Sequence, residues 1–139
     1  MQETHGNQSR MKLKRLGHVA ICVEDVARAA QFYQDLGLDL VWQDQDWAYL
    51  KAGDDGLALL SPSYAQARAH FGFVFSDRAE LTLSHTQLQG AGIPVSPILQ
   101  HRDGTASFYG QDPDGNAFEY LYEPLAVVTA VVPLAVEAD

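Results

Sequence analysis

Two histidines and a glutamate carry the chemistry that this sequence offers. His18 and His70 each stand near the start of a short alternating apolar segment, 52 residues apart, and Glu119 lies in the last such segment. From Ala117 to Tyr122 the alternation sets Ala117, Glu119 and Leu121 on one face of a strand and Phe118, Tyr120 and Tyr122 on the other. A carboxylate among small and aliphatic neighbours is costly unless a positive group meets it. A divalent cation shared with two neutral imidazoles would do so. Such a facial set leaves coordination positions open for a substrate and suits Fe(II), Mn(II), Ni(II) or Zn(II). The competing readings are a hydrogen-bonded structural histidine on either strand and a glutamate neutralised by an arginine.

The elements that must position these residues follow from periodicity and turn chemistry. Leu16 to Val23 reads as a strand with His18, Ala20 and Cys22 on one face and Val19, Ile21 and Val23 on the other. Asp25 caps a helix from Val26 to Leu36, whose apolar side includes Val26, Ala29, Ala30, Phe32, Tyr33 and Leu36, and Gly37 ends it. Strands are expected at Asp39 to Gln43, Trp47 to Ala52 and Gly56 to Leu60, with Ser61 to Gln66 as a linker. The pattern then repeats. Ala69 to Phe75 is a strand with His70, Gly72 and Val74 on one side, and Asp77-x-x-Glu80 opens a helix closed by Gly90 and Gly92. Pro94 to Leu99, Ala106 to Gly110 and Asn116 to Tyr122 complete the set, the last two joined by the turn Asp112-Pro-Asp-Gly-Asn116.

The expected fold class is therefore α+β, two βαβββ modules forming an open, cupped β-barrel-like sheet. If each half curls into half a barrel, the inward faces of the first strands bring His18 and His70 together across a cavity that Glu119 completes. Residues 1–12 read as a disordered lead-in, 13–61 as the first module, 67–123 as the second and 124–139 as an apolar tail suited to a subunit contact or an edge strand.

Composition narrows the partners. At 139 residues and 47% hydrophobic, the chain can bury one domain or two small fused modules. A net charge of -9 repels phosphate backbones and anionic lipid, so neither nucleic acid nor membrane is an expected partner. No apolar run is long enough to cross a bilayer and the first ten residues are polar, so a cytoplasmic location is expected. The single Cys22 fits a reducing compartment and reads as a small buried hydrophobe; His5 and His85 read as surface residues. Trp42, Trp47 and Tyr49 serve either as the wall of an aromatic pocket or as core.

The segments Leu16-Gly17-His18-Val-Ala-Ile-Cys-Val-Glu-Asp25, Phe32-Tyr33-Gln-Asp-Leu36-Gly37, Ala69-His70-Phe71-Gly-Phe73 and Ser107-Phe108-Tyr109 followed by Asp112-Pro113-Asp114-Gly115-Asn116 and Glu119 resemble those of the vicinal oxygen chelate superfamily. That group includes glyoxalase I, fosfomycin-resistance and bleomycin-resistance proteins and type I extradiol dioxygenases. The resemblance covers residues 14–122 and implies one divalent metal on His18, His70 and Glu119, a small-molecule substrate chelating through two oxygens, and a homodimer. It places Leu59 where glyoxalase I has a further carboxylate, which disfavours a four-ligand isomerase. Fosfomycin-resistance proteins share the three-ligand set, but Ala20 stands where a cavity threonine is expected and no arginine follows Glu119. The extradiol dioxygenases fit better: Tyr109 lies ten residues before Glu119 as in that family, and His101 approximates its cavity histidine. The sequence thus leans to a dioxygenase-type metalloenzyme with Fe(II), Tyr109 and His101 being catalytic. Thiol or water addition to an epoxide, and non-catalytic binding of an antibiotic or other small molecule, are the alternatives.

Overall fold

The structure, a computed structural model, describes residues 12–124, without the side chains of 65–67. The expected lead-in and most of the tail lie outside the described residues. The fold class is α+β, built from two βαβββ modules. The chain forms two compact units, Gly17–Phe71 and a second made of 12–16 with Gly72–Pro124.

In the first unit β1 (His18–Cys22) leads into α1 (Val26–Leu36), then β2 (Asp39–Gln43), β3 (Trp47–Ala52) and β4 (Asp55–Leu60). The strand order is β2-β3-β4-β1, with β4 returning parallel to β1 and the other pairs antiparallel. Helix α1 begins where the Asp25 carboxylate accepts the Arg28 N–H at 3.1 Å and ends on Gly37 at φ 119. Val26 and Ala30 pack against Ala48, Leu50 and Leu59. Phe32 and Leu36, expected on the apolar side, stay exposed because the buried stripe is centred on Val26 and Ala30 instead. The other sheet face carries Ala20, Val41, Trp47, Tyr49, Ala58 and Leu60. Period-2 alternation thus separates a helix face from the face that bears His18.

The second module runs through β5 (His70–Phe75), α2 (Arg78–Gly90), β6 (Leu99–Gln100), β7 (Ala106–Gln111) and β8 (Ala117–Tyr122), in the order β5-β8-β7-β6. Asp77 caps α2 by accepting the Ala79 N–H at 2.9 Å. Leu81 and Leu88 pack on Phe75, Ala106, Phe108 and Tyr120. The expected strand from Pro94 to Leu99 shrinks to two residues, with one isolated bridge between Val95 and Gly110. Pro94 and Pro97 have no N–H to give a ladder, so pairing resumes only beyond them. His85, read as a surface residue, is half-buried: its Nε2 lies 2.8 Å from the Ser96 carbonyl and its ring meets Phe108 edge-on. It fastens α2 to the proline segment. Cys22 is exposed at the end of β1, where a buried hydrophobe was expected. No helix among the described residues is long and apolar enough to cross a membrane.

Candidate metal centre

His18 and His70 both belong to the first unit and are brought together there, with ring centroids 5.4 Å apart. Both are buried, at 7% and 8% exposure. His70 opens β5 two residues after Arg68, a non-glycine residue at φ 45. That left-handed conformation costs on the order of 1–3 kcal/mol and is kept only where its surroundings impose it. Here it aims the Arg68 carbonyl at His70 Nδ1, 2.6 Å away. A carbonyl can only accept, so Nδ1 carries the proton of this contact. This is how metal-ligating histidines are oriented: the outer nitrogen donates to a carbonyl and the inner one binds.

On the His18 side Gly56 is its register partner on β4. A Cβ at Gly56 would fall on the Tyr49 hydroxyl, so the glycine is what lets that phenol lie beside the histidine. The His18 and Tyr49 rings stand 5.7 Å apart. The position assigned to a fourth carboxylate needs correction. Leu59 faces α1, packed with Val26 and Ala30, whereas Ala58 shares the His18 face with Ala20 and Tyr49. Ala58 is the residue to compare, and it too is apolar.

In the second unit Glu119 is 3% exposed on β8. Its register partner on β7 is Tyr109, which is half-buried. Because Ala106, Phe108 and Tyr120 pack on α2, the alternate residues Ser107, Tyr109 and Glu119 occupy the opposite face. His101 joins them. Its Nε2 lies 2.7 Å from the hydroxyl of the fully buried Ser107. The His101–Thr105 turn is tied by Asp103, which accepts from the Thr105 N–H at 3.0 Å and hydroxyl at 2.7 Å. His101, a catalytic candidate in the sequence, is thus held through Ser107 on the Glu119 face, and Ser107 is the residue that sequence reasoning missed. A cavity of about 1040 Å³ in this unit lies between α2 and the β7–β8 turn, with Leu88, Ile93, Val95 and Phe118 in its walls and Tyr109 also in its lining.

The donor set suits a divalent cation: two imidazoles, one of them oriented by a carbonyl, and a buried carboxylate. The profile of the Glyoxalase/Bleomycin resistance protein/Dioxygenase superfamily matches residues 15–120. The chain is 31% identical over 125 residues to a glutathione transferase FosA from Serratia marcescens, covering 82% of this chain and 84% of the relative. Among solved structures it is similar to 2,2',3-trihydroxybiphenyl 1,2-dioxygenase from Sphingomonas wittichii strain RW1, with TM-score 0.58 and 26% identity over 78% of this chain. It is similar in fold to the 2,3-dioxygenase LapB from Pseudomonas sp. KL28, with TM-score 0.63 and 17% identity over 81% of this chain. It spans only 42% and 43% of those two dioxygenase chains.

Proposed function

Because the chain belongs to the Glyoxalase/Bleomycin resistance protein/Dioxygenase superfamily, we propose that it is a metal-dependent enzyme whose small substrate presents two neighbouring oxygens to one divalent cation held by His18, His70 and Glu119. The observation that carries this reading is the 2.6 Å contact of His70 Nδ1 with the Arg68 carbonyl, which orients a buried imidazole whose ring stands 5.4 Å from that of His18. The bound cation would supply Lewis-acid polarisation of the chelating oxygens. Tyr109, half-buried and the register partner of Glu119, would donate a hydrogen bond to a substrate oxygen. His101 would take or give a proton, its ring held through Ser107.

Two reactions fit these parts. Addition of a thiol to an epoxide is favoured by the transferase relative, which matches over most of both chains. Ring-cleaving dioxygenation is favoured by the acid–base pair His101 and Tyr109 and by dioxygenases that share the fold over part of their length. Elemental analysis after anaerobic reconstitution with Fe(II) or Mn(II) tests the common premise. About one metal per chain is expected, and His70→Ala should bring it to background. A wild type that retains no metal, or a His70→Ala protein that retains it fully, overturns the reading. Thiol consumption with an epoxide in the absence of O₂ selects the first reaction; O₂ uptake with a catechol selects the second.

A further inference from the structure

Tyr109 is held from outside the β7–β8 ladder. On β8 its register partner is Glu119, and its neighbours Phe108 and Gly110 are paired there with Tyr120 and Phe118. In an antiparallel pair the residues that exchange bonds alternate, so Phe108 and Gly110 turn their backbone groups to β8 while Tyr109 turns its own to the far side of β7. On that far side the chain is a strand only at Leu99–Gln100, and Pro94 and Pro97 interrupt the ladder before it. One residue between the prolines meets the need. The Ser96 N–H donates to the Tyr109 carbonyl at 2.8 Å, and the Tyr109 N–H donates to the Ser96 hydroxyl at 2.9 Å.

In a regular ladder the second of these bonds would end on the Ser96 carbonyl. That carbonyl is turned away, to His85 Nε2 on α2, 2.8 Å off. A carbonyl only accepts, so the imidazole donates to it. The Ser96 hydroxyl gives its one hydrogen to the Pro97 carbonyl at 3.0 Å and therefore meets Tyr109 with a lone pair. The same imidazole rests edge-on against Phe108, the residue before Tyr109, with centroids 4.8 Å apart. Ser96 and Tyr109 both stand in the wall of the cavity of about 1040 Å³, so close packing does not pin this part of β7 from every side.

We propose that Ser96 is the positioning residue for Tyr109, a two-point clasp on its backbone that His85 sets from α2 by holding the Ser96 carbonyl out of the ladder. The inference rests on the reading that Tyr109 meets a substrate oxygen, and adds what fixes the place of that phenol relative to Glu119. A misplacement of about 1 Å at a group that meets substrate can cost about 100-fold in rate.

Amide hydrogen exchange on the full chain and turnover of the metal-loaded protein test it together. Ser96→Ala removes the acceptor of the Tyr109 N–H and keeps the backbone of residue 96. Its Tyr109 amide is expected to exchange at least about tenfold faster, while those of Phe108 and Gly110 stay within about threefold of wild type. A merely destabilised protein would speed all three alike. Ser96→Thr keeps the hydroxyl and should restore the protection. His85→Gln keeps a donor for the Ser96 carbonyl and should resemble wild type, whereas His85→Leu should release the Tyr109 amide. In whichever of thiol–epoxide addition or catechol oxygenation the wild type runs, Ser96→Ala should lower kcat about tenfold at unchanged metal content, and should add nothing in a Tyr109→Phe background. If Ser96→Ala loses its fold by circular dichroism, the pair His85→Leu and His85→Gln carries the test. A Ser96→Ala protein whose Tyr109 amide exchanges as in wild type overturns the clasp. One that releases the amide yet turns over at the wild-type rate, or that loses the same factor in the Tyr109→Phe background, overturns the positioning role and leaves the metal reading standing. A wild type that takes up no metal or runs neither reaction sinks the enzyme reading alone, and amide exchange then decides the clasp by itself.

Discussion

Both modules lay an aromatic ring over a strand glycine, and they do it on opposite faces. In the first unit Tyr49 of β3 covers Gly56 of β4 on the face that carries His18. In the second, Phe118 of β8 covers Gly110 of β7, its register partner, on the face that packs α2. The same packing device stabilises a ligand face in one case and a hydrophobic core in the other. On the face that bears His18 the first module also carries aromatic rings and a lysine, while the matching face of the second carries Glu119, Tyr109 and Ser107, with His101 held by Ser107. A repeated backbone has therefore been filled with complementary chemistry: the first module's counterpart of a carboxylate position is Ala58, and the second has no buried lysine among its described residues.

The sharpest way to break this comparison is to add one methyl group to each glycine. Gly56→Ala drives a Cβ into the Tyr49 hydroxyl, which is wedged at 3% exposure between neighbours. Overpacking of this kind costs about 1–3 kcal/mol, and the displaced phenol must press on His18. Gly110→Ala sets a Cβ 2.5 Å from the Phe118 ring tip, and should cost a similar or smaller amount because Phe118 is only partly buried. Urea unfolding gives the stability losses and metal titration separates the faces. Gly56→Ala should weaken metal binding as well as stability, whereas Gly110→Ala should lower stability alone. Equal metal affinity in the two variants would remove the distinction drawn between the faces.

A smaller effect is expected at Ser107. Ser107→Ala removes the 2.7 Å contact with His101 and should cost about 1 kcal/mol, since the half-buried imidazole can recruit water in place of the hydroxyl. Paired with His101→Ala in a double-mutant cycle, it should show a coupling of about 0.5–1.5 kcal/mol. Simple additivity would mean that Ser107 does not anchor His101.

The faces of the strands were legible because alternation is a local property: His18 with Ala20, His70 with Gly72 and Glu119 with Leu121 separate correctly from residues facing the helices. Helix α1 was legible to the residue, since Asp25 and Gly37 supply both caps. What failed depended on register or on distant partners. Leu59 was chosen over Ala58 because the sequence does not show which of two neighbours faces the histidine. His85 was misplaced because the Ser96 carbonyl that holds it comes from a loop eleven residues on. Lys51 carried no local sign at all: one lysine in a strand reads as solvent-facing until two separate pairings align it with His18 through Gly56. Ser107 was read only as part of a motif, and its role needs the distance to His101.

The smallest expected effect lies in the Asp112–Asn116 turn, which has no counterpart in the first module's Gly53-Asp-Asp-Gly56 turn. Asp112 accepts from the Asn116 side-chain amide at 2.9 Å, from the Asn116 N–H at 2.8 Å and from the Asp114 N–H at 2.9 Å. These bonds, the Asn116 side chain first, hold its carboxyl below the ordinary aspartate value although the group is exposed. A carboxyl depressed on folding contributes stability that is fully present above its unfolded value and disappears as pH falls through the folded one. Asn116→Ala removes the leading contributor and leaves the backbone donors. The Asp112 carboxyl, followed by carbon-detected NMR, should therefore titrate closer to the ordinary aspartate value, and the acid-dependent part of stability should shrink. An unchanged titration would mean that the backbone N–H groups alone hold the carboxylate, and that the turn is set before Asn116 contributes.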